Sequence, residues 1–292
     1  MNDLTGLLLI DKPEGPTSHD MVKLARKTMR LSRVGHTGTL DPFASGLLVL
    51  CLGWATRLAE YITPLPKMYR GVIRLGVGTD TDDCTGTVIS ENHEWRQLRE
   101  EVVRAALESM VGEMLQRPPA YSAKKVAGRR AYTIARRGST PQLHHERVTL
   151  YRASVTEVAL PDVSFEIECS RGTYIRSVAR DLGDKLGVGA HLAKLRRLRV
   201  GEFSVDAALL LSSDVDEADA LARLIEPEAA VGHLERIDLD TGAFDAFGHG
   251  RPLPYEVGGG AGPVAVFVDG RLAAIGEARA GSLWPKKVLV GA

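Results

Sequence analysis

The chain has 292 residues, a hydrophobic fraction of 44% and a formal net charge of zero at pH 7. This length and composition predict a globular protein with one large domain, or with one large and one small domain. The charge balance excludes a global positive field that would steer the whole chain to nucleic acid. The cysteines Cys51, Cys84 and Cys169 are far apart and lack metal-ligand spacing, so the sequence predicts reduced thiols, no disulfide framework and no zinc site.

The first elements are a short buried strand and a basic helix. An apolar run at residues 7–10 predicts the strand. Thr17, with Asp20 three residues later, resembles a capping box and predicts a helix over residues 18–30. Its basic face indicates a solvated surface, with RNA contact as the less favoured alternative. The amino terminus has no basic leader and only a short apolar run, so we expect no signal peptide and no membrane span. The reduced thiols predict a cytoplasmic protein.

A glycine-lined turn follows, reading GHTGTLDPFASGLL over residues 35–48, and it contains one carboxylate, Asp41. Asp followed by Pro commonly starts a turn, so the residues alone favour a structural role, with a reactive carboxylate as the alternative. A strand is predicted at residues 47–52, a helix near 54–62 and a strand at 68–75.

The next turn, GVGTDTDDCTG, contains two incomplete motifs. Its Gly-x-Gly lacks the third glycine and the following helix of a dinucleotide-binding fingerprint. Asp80, Asp82 and Glu91 have the spacing of a calcium loop, but Thr85 stands where that loop needs glycine. The sequence therefore predicts neither a dinucleotide site nor a calcium site here.

A strongly basic segment follows an amphipathic helix predicted over residues 95–110. Residues 117–138, RPPAYSAKKVAGRRAYTIARRG, contain seven Lys or Arg, two Tyr and no acid. Such residues suit phosphate contact and base stacking, so we favour an RNA-binding segment over a merely solubilising loop. The apolar side of the preceding helix is predicted to consist of Trp95, Leu98, Val102, Ala106 and Met110.

Two strands, at residues 148–158 and 163–169, precede a helix predicted over residues 173–186. Arg176 lies in its first turn, where the helix dipole disfavours a cation. Arg176 therefore either pairs with a carboxylate elsewhere or, as the simpler alternative, reaches solvent. Beyond a boundary near residue 235, short strands and the turn at Asp269 and Gly270 predict a small β-rich module that docks on the rest.

Motifs along nearly the whole chain resemble those of the TruB family of tRNA pseudouridine synthases, in the family's order. They read LLLIDKPEGPTSHD, GHTGTLDPFASGLL, KMYRGVIRLGVGTDTDD, RPPAYSAKKVAGRRAY, SRGTYIRSVARDLG and GAHLAKLRRLRVGEF. The tail is similar to the family's PUA-type RNA-binding domain. The resemblance implies an α+β fold, with a pseudouridine-synthase domain over residues 1–235 built on a mixed, largely antiparallel sheet flanked by helices. It also implies an RNA-gripping insertion at about residues 114–146 and a PUA-like domain over residues 236–292.

The resemblance further implies the residues of the active site. Asp41 matches the nucleophile, and Arg176 matches the arginine paired with it. Tyr69 matches the tyrosine that stacks on the target base and is a candidate for proton transfer. The remaining matches are substrate-contacting positions or a motif lysine near the site: His36, Tyr174, Leu195 and Lys12. In the insertion, the RNA-binding candidates are Lys124, Lys125, Arg129 and Arg130.

Two of these matches have plain alternatives. Leu195 could pack in the core, alone or as well as touching substrate, and His36 could be a turn histidine bonded to backbone. We expect the role of Lys12 to be structural or electrostatic.

The reaction implied is conversion of a uridine in the T-loop of tRNA, at position 55, to pseudouridine after base flipping. This isomerisation oxidises nothing and releases no group, so we expect no cofactor and no metal. We expect tRNA, through its T-arm, as the partner, with no membrane association, no obligate protein partner and a monomer. A non-catalytic tRNA-binding or folding chaperone, or a synthase acting on another RNA, are the alternatives. Attack at C1′, addition at C6 and a glycal route all remain open.

Overall fold

The computed structural model describes residues 4–121, 125–126, 129–130, 144–212, 214–255 and 261–289. Of the sequence expectations, Lys124 lies outside these residues, and so do most positions of the basic segment. Lys125, Arg129 and Arg130 are described only through the backbone pairing of two short strands. Their expected contacts with RNA therefore stay predictions.

In the described part of the chain, thirteen strands precede residue 205. They are β1 (Gly6–Lys12), β2 (Val34–His36), β3 (Ser45–Leu52), β4 (Lys67–Leu75), β5 (Val77–Thr79), β6 (Val88–Glu91), β7 (Gly112–Gln116), β8 (Lys125–Val126), β9 (Arg129–Arg130), β10 (Glu146–Ala159), β11 (Asp162–Cys169), β12 (Ala190–Val200) and β13 (Phe203–Ser204). Nine of them form one sheet in the order β1-β3-β12-β4-β11-β10-β7, with β2 on β3 and β13 on β12. Within this sheet only β3 and β12 pair in parallel, which is the mixed, largely antiparallel sheet expected.

The first helix, α1 (Ser18–Thr28), begins with the predicted capping box. Thr17 accepts a hydrogen bond from the backbone of Asp20, and the Asp20 carboxylate accepts one from the backbone of Thr17. Met21, Val22 and Ala25 face the core and pack with one side of β1 and β3. The helix predicted near residues 54–62 is a 3-10 turn, Gly53–Leu58, followed by α2 (Ala59–Ile62).

Two further helices, α3 (Glu100–Glu108) and α4 (Ile175–Lys185), cover one face of β4, β11 and β10. The helix predicted over residues 95–110 is interrupted, because Leu98 and Arg99 are extended. The helical phase restarts after the break, so Val103 is buried and Val102 is 40% exposed. The prediction that Val102 belongs to the apolar face was therefore wrong.

The carboxyl-terminal part forms a second, five-stranded sheet, whose strands lie in the order Glu235–Asp238, Gly262–Val268, Arg271–Arg279, Ser282–Val288 and Leu253–Pro254. Phe267 and Ile275 of this sheet share a core with Leu7 and Val49 of the first sheet, so the two sheets dock as expected. The domain boundary at residue 235 stays a prediction. The elements are α5 (Glu217–Leu221), β14 (Glu235–Asp238), α6 (Thr241–Gly248), β15 (Leu253–Pro254), β16 (Gly262–Val268), β17 (Arg271–Arg279) and β18 (Ser282–Val288).

Among the helices of the described ranges, none has the length and apolar character needed to cross a membrane.

Candidate active site

A cavity of about 700 Å³ opens between the turn that carries Asp41 and the amino-terminal end of α4. The first sheet forms its floor through β4 and β12. A larger cavity of about 1120 Å³ lies against the second sheet, but none of the matched residues line it. We therefore place the candidate site in the smaller cavity, whose lining includes Asp41, Lys67, Tyr69, Asp83, Tyr121, Tyr174, Arg176, Leu195 and Arg197.

The turn that carries Asp41 is fixed from both sides by hydrogen bonds. Ser18, at the start of α1, accepts from the Leu40 amide at 2.8 Å and donates to the Leu40 carbonyl at 3.1 Å. The Lys12 ammonium donates to the carbonyls of Pro13 and Pro16 at 2.7 and 2.9 Å and to that of Pro42 at 3.4 Å. The neighbouring loop and the helix therefore hold the backbone on either side of Asp41.

Arg176 links Asp41 to a second carboxylate, Asp83. Its Nε lies 3.0 Å from Oδ2 of Asp41, and its Nη2 donates to Oδ1 at 3.3 Å. Its Nη1 lies 3.3 Å from Oδ2 of Asp83. The side chain of Arg176 is only 6% exposed, whereas that of Asp41 is 35% exposed. Arg176 is thus buried and paired, and the simpler expectation that it reaches solvent was wrong.

The pKa of Asp41 is raised above its usual value. Burial is the largest cause; the nearby Asp83 adds to the rise, and the cation of Arg176 opposes it. An opposing cation favours the ionised form of a carboxyl that desolvation would otherwise protonate. The pair therefore combines a partly dehydrated carboxyl group with a cation that favours its ionised form.

Tyr69 and Leu195 form the floor of the cavity. Tyr69 on β4 is 8% exposed and Leu195 on β12 is 7% exposed. Leu195 both packs in the core and lines the cavity. Burial raises the pKa of Tyr69, so its phenol is protonated at neutral pH.

Tyr174 also lines the cavity, from the position immediately before α4. The Gln116 side chain accepts a hydrogen bond from its amide at 2.8 Å and donates to its carbonyl at 3.1 Å. These two bonds fix the backbone from which Tyr174 reaches the cavity.

Neither His36 nor Lys12 is among the described residues that line the cavity. The Nδ1 of His36 accepts from the Gly38 amide at 3.3 Å, which is the backbone-bonded arrangement considered for it. Burial lowers the pKa of both side chains. Lys12 supports the turn through Pro42, in keeping with the structural role expected.

Sequence reasoning missed Asp83 and Arg197. Asp83 lies in the turn that was compared with a calcium loop; it is 3% exposed and accepts hydrogen bonds from Thr85 at 2.9 and 2.6 Å. Its neighbour Asp82 pairs with Arg180 of α4 at 2.8 Å. Two arginines four residues apart on one helix, opposite two consecutive acids, were the available signal. Among the described residues no cluster suited to a metal is found, and these acids serve as arginine partners.

Arg197 is 2% exposed. Its Nε donates to the Leu47 carbonyl at 2.7 Å and its Nη2 donates to the Gly38 carbonyl at 3.0 Å. In the sequence, Arg197 belongs to a run of cations in a segment for which no secondary structure was predicted. Nothing in the sequence therefore indicates that Arg197 is buried and that its neighbouring cations are more exposed.

Comparison with solved structures gives the class of fold. Solved structures of similar fold include "Structure of H/ACA RNP bound to a substrate RNA containing 2'-deoxyuridine", at 26% identity and a TM-score of 0.73, covering 97% of this chain and 84% of that chain. Another is "Crystal Structure of a Cbf5-Nop10-Gar1 Complex", at 27% identity and a TM-score of 0.74, covering 97% of this chain and 83% of that one.

Sequence comparison then gives the family. Residues 26–175 match the model of the TruB family pseudouridylate synthase N-terminal domain, and residues 176–238 match that of the tRNA pseudouridylate synthase B C-terminal domain. Relatives named tRNA pseudouridine synthase B include one from Geobacter sulfurreducens, 39% identical over 96% of this chain and 95% of the relative. Another, from Thermobifida fusca, is 42% identical over 98% of this chain and 99% of the relative. The chain belongs to the TruB family of pseudouridylate synthases.

Proposed function

We propose that this protein isomerises a uridine in the T-loop of tRNA, at position 55, to pseudouridine. The observation that carries the proposal is Asp41, which lies at a cavity of about 700 Å³ in a two-point contact with the buried Arg176. Tyr69 lines the same cavity, and relatives that span nearly the whole chain are named tRNA pseudouridine synthase B.

The reaction is an internal exchange of bonds at one nucleotide. The bond from ribose C1′ to uracil N1 breaks, the base turns, and a bond from C1′ to C5 forms. N1 gains a proton and C5 loses one, so the atoms balance without a co-reactant. A carboxylate suits this chemistry because it is a nucleophile that can form and release a covalent bond to sugar or base.

In this proposal Asp41 is the nucleophile and Arg176 keeps it ionised and aimed. The cation opposes the rise in pKa that burial causes. Asp83 holds the other side of the guanidinium at 3.3 Å, so Arg176 is fixed between two carboxylates. Attack at C1′, addition at C6 and departure of the base through a glycal each use the same ionised carboxylate.

The apolar part of the cavity would receive the base. A uridine within a folded loop is stacked, so it must be turned out before its C1′ or C6 can meet Asp41. Tyr69 offers a ring for stacking, and its hydroxyl can relay the proton from C5 if it releases its own proton in the same step. Tyr174 and Leu195 would close around the base and exclude water, while Lys12 and His36 would act through the backbone of the turn.

The remaining RNA contacts are assigned to the insertion at about residues 114–146 and to a PUA-like domain over residues 236–292. A-form RNA presents mainly its shape and phosphates to a protein, which suits a basic clamp on the T-arm. The enzyme would recognise the folded T-arm of the tRNA directly, without a guide RNA and the proteins that hold one. We therefore propose a cytoplasmic monomer that acts without a protein partner.

The test measures tritium release from C5-tritiated uridine in unmodified tRNA. Asp41→Asn should lower turnover by at least about 10⁴-fold, as loss of a nucleophile does elsewhere, while tRNA binding is retained. Asp162→Asn is the matched control, because that carboxylate pairs with Arg74 on an exposed part of the sheet; it should keep normal turnover.

Normal turnover in Asp41→Asn would remove the nucleophile assignment. Wild-type protein that binds tRNA but releases no tritium would instead favour the non-catalytic chaperone. Tritium release only from another RNA would show that the substrate is that RNA and not tRNA, while the proposed chemistry would stand.

A further inference from the structure

Arg197 has an environment unusual for a cation, because it is 2% exposed and forms no ion pair with any carboxylate in the described part of the chain. Its identified backbone partners are the carbonyls of Leu47 and Gly38. A buried charge is costly to desolvate and is normally compensated by an opposite charge. Two carbonyl dipoles satisfy donors but do not neutralise the cation, so packing alone does not account for an arginine here.

The two carbonyls lie at the two ends of the segment that carries Asp41. Gly38 precedes Asp41 by three residues and Leu47 follows it by six. The distances from Nη2 to the Gly38 carbonyl and from Nε to the Leu47 carbonyl are 3.0 and 2.7 Å. One planar guanidinium therefore spans the neck of this loop and sets the separation of its ends.

The backbone of Arg197 holds the same loop at a further point. It pairs with Gly46 in the parallel contact of β12 with β3. A Cβ on Gly46, whose φ is +104°, would lie 2.2 Å from the Arg197 carbonyl oxygen. The backbone and the side chain of Arg197 thus both hold the loop close to β12.

Arg197 also lies directly opposite Tyr69 in the antiparallel pairing of β12 with β4. Side chains of directly opposed residues lie on the same face of a sheet, and both line the cavity. Burial raises the pKa of Tyr69, and the charge of Arg197 and a side-chain hydrogen bond from it oppose that rise. A guanidinium has only donors, so the phenol oxygen accepts and its proton is directed away from Arg197.

We propose that Arg197 is a positioning residue that couples the loop of Asp41 to the ring of Tyr69. Through its buried guanidinium, Arg197 sets the distance between the nucleophile and the stacking tyrosine. This rests on the proposed function, since it assigns Arg197 a part in that reaction. Lysine would keep the charge but not the fork that reaches two carbonyls at once.

The test compares Arg197→Lys with Arg199→Lys, the same change two residues along the same strand on a side chain that is 49% exposed. The single-turnover rate per tRNA-binding molecule should fall about 10²-fold in Arg197→Lys, because small misplacements near reacting groups have effects of that size. The Kd for tRNA should stay unchanged, and Arg199→Lys should match wild type. Equal rates per binding-competent molecule in the two variants would show a purely structural Arg197.

A double-mutant cycle with Tyr69→Phe tests the coupling itself. Arg197→Lys should slow the reaction by a smaller factor in the Tyr69→Phe background than in the wild-type background. The same factor in both backgrounds would overturn the coupling. Wild-type protein inactive on tRNA would overturn the proposed function, whereas an active wild type with an additive cycle would overturn only the role of Arg197.

Should Arg197→Lys not fold, ¹⁵N-arginine labelling of the wild-type protein and of Tyr69→Phe gives the second measurement. The Nε–H of Arg197, bonded to a buried carbonyl, should exchange slowly, and the guanidinium signals should shift when the Tyr69 hydroxyl is removed. Signals that do not shift would contradict the proposal.

Discussion

At the scale of single residues, Arg176 is placed between two carboxylates of different exposure. The Asp41 side chain is 35% exposed, whereas that of Asp83 is 5% exposed. In the proposed reaction the buried carboxylate would anchor the guanidinium, and the more exposed one would be the nucleophile. The two aspartates would then differ in role because their surroundings differ.

The pH dependence of the reaction should report this arrangement. A nucleophilic Asp41 must be ionised, so the rate falls as pH drops through its pKa. Burial already raises that pKa and Arg176 opposes the rise. Removing the cation in Arg176→Gln should raise the pKa further and move the acid limb of the rate profile to higher pH, by roughly 1–3 units.

The profile is measured as the single-turnover rate against pH. Arg180→Gln is the matched control, because Arg180 lies one turn further along α4 and pairs with Asp82. Its acid limb should coincide with that of wild type. An unmoved limb in Arg176→Gln would mean that ionisation of Asp41 does not govern the rate.

At the scale of elements, α3 shows how a break in a helix changes its buried face. Val103 is fully buried and its neighbour Val102 is 40% exposed. Val103→Ala should lower the free energy of unfolding by about 2 kcal/mol, through lost burial and the cavity left behind. Val102→Ala should change it by less than about 0.5 kcal/mol, as surface substitutions usually do.

Denaturant unfolding of the two variants measures both values. If Val102→Ala lowers the free energy of unfolding as much as Val103→Ala, or more, then Val102 belongs to the buried face, as an unbroken helix predicts.

The elements that the sequence predicted well are those with a local signal. The apolar runs of β1 and β3 predicted buried strands, and Thr17 with Asp20 predicted the start of α1. The site was less predictable, because its contacts join distant parts of the chain. Asp83 meets Arg176, and Arg197 meets Gly38, only in the folded chain. The hydrophobic pattern of a sequence does not reveal contacts between distant residues. The family resemblance therefore identified Asp41 and Arg176 but not the residues that support them.

At the scale of the whole molecule, the second sheet packs on the side of β1 and β3 that faces away from α1. Phe267 and Leu272 belong to the same core as Leu7 and Leu9. Lys287 and Glu60 form an ion pair across the contact. The apolar runs of β1 and β3 are therefore covered on both faces, which explains why they read as continuous rather than alternating.

Charge is also organised at this scale, because the chain has no net charge and attraction to RNA must be local. On the second sheet, Lys286 and Arg236 are paired with acids, whereas the segment over residues 117–138 contains no acid. We therefore expect that segment to supply the phosphate contacts. Replacing Lys124, Lys125, Arg129 and Arg130 with Ala should weaken tRNA binding and flatten the plot of log K against log salt by about 3 units of slope.

The control replaces four cations of and just after α1 instead, namely Lys23, Lys27, Arg30 and Arg33. Lys23, Lys27 and Arg30 belong to the basic face that was the less favoured RNA surface, and Arg30 faces Glu217 at 3.8 Å. Loss of the four cations should leave the slope unchanged, since cations that contact no phosphate release no counterions. A slope that flattens for the α1 variant and not for the insertion variant would place the RNA contact at α1 instead of the insertion.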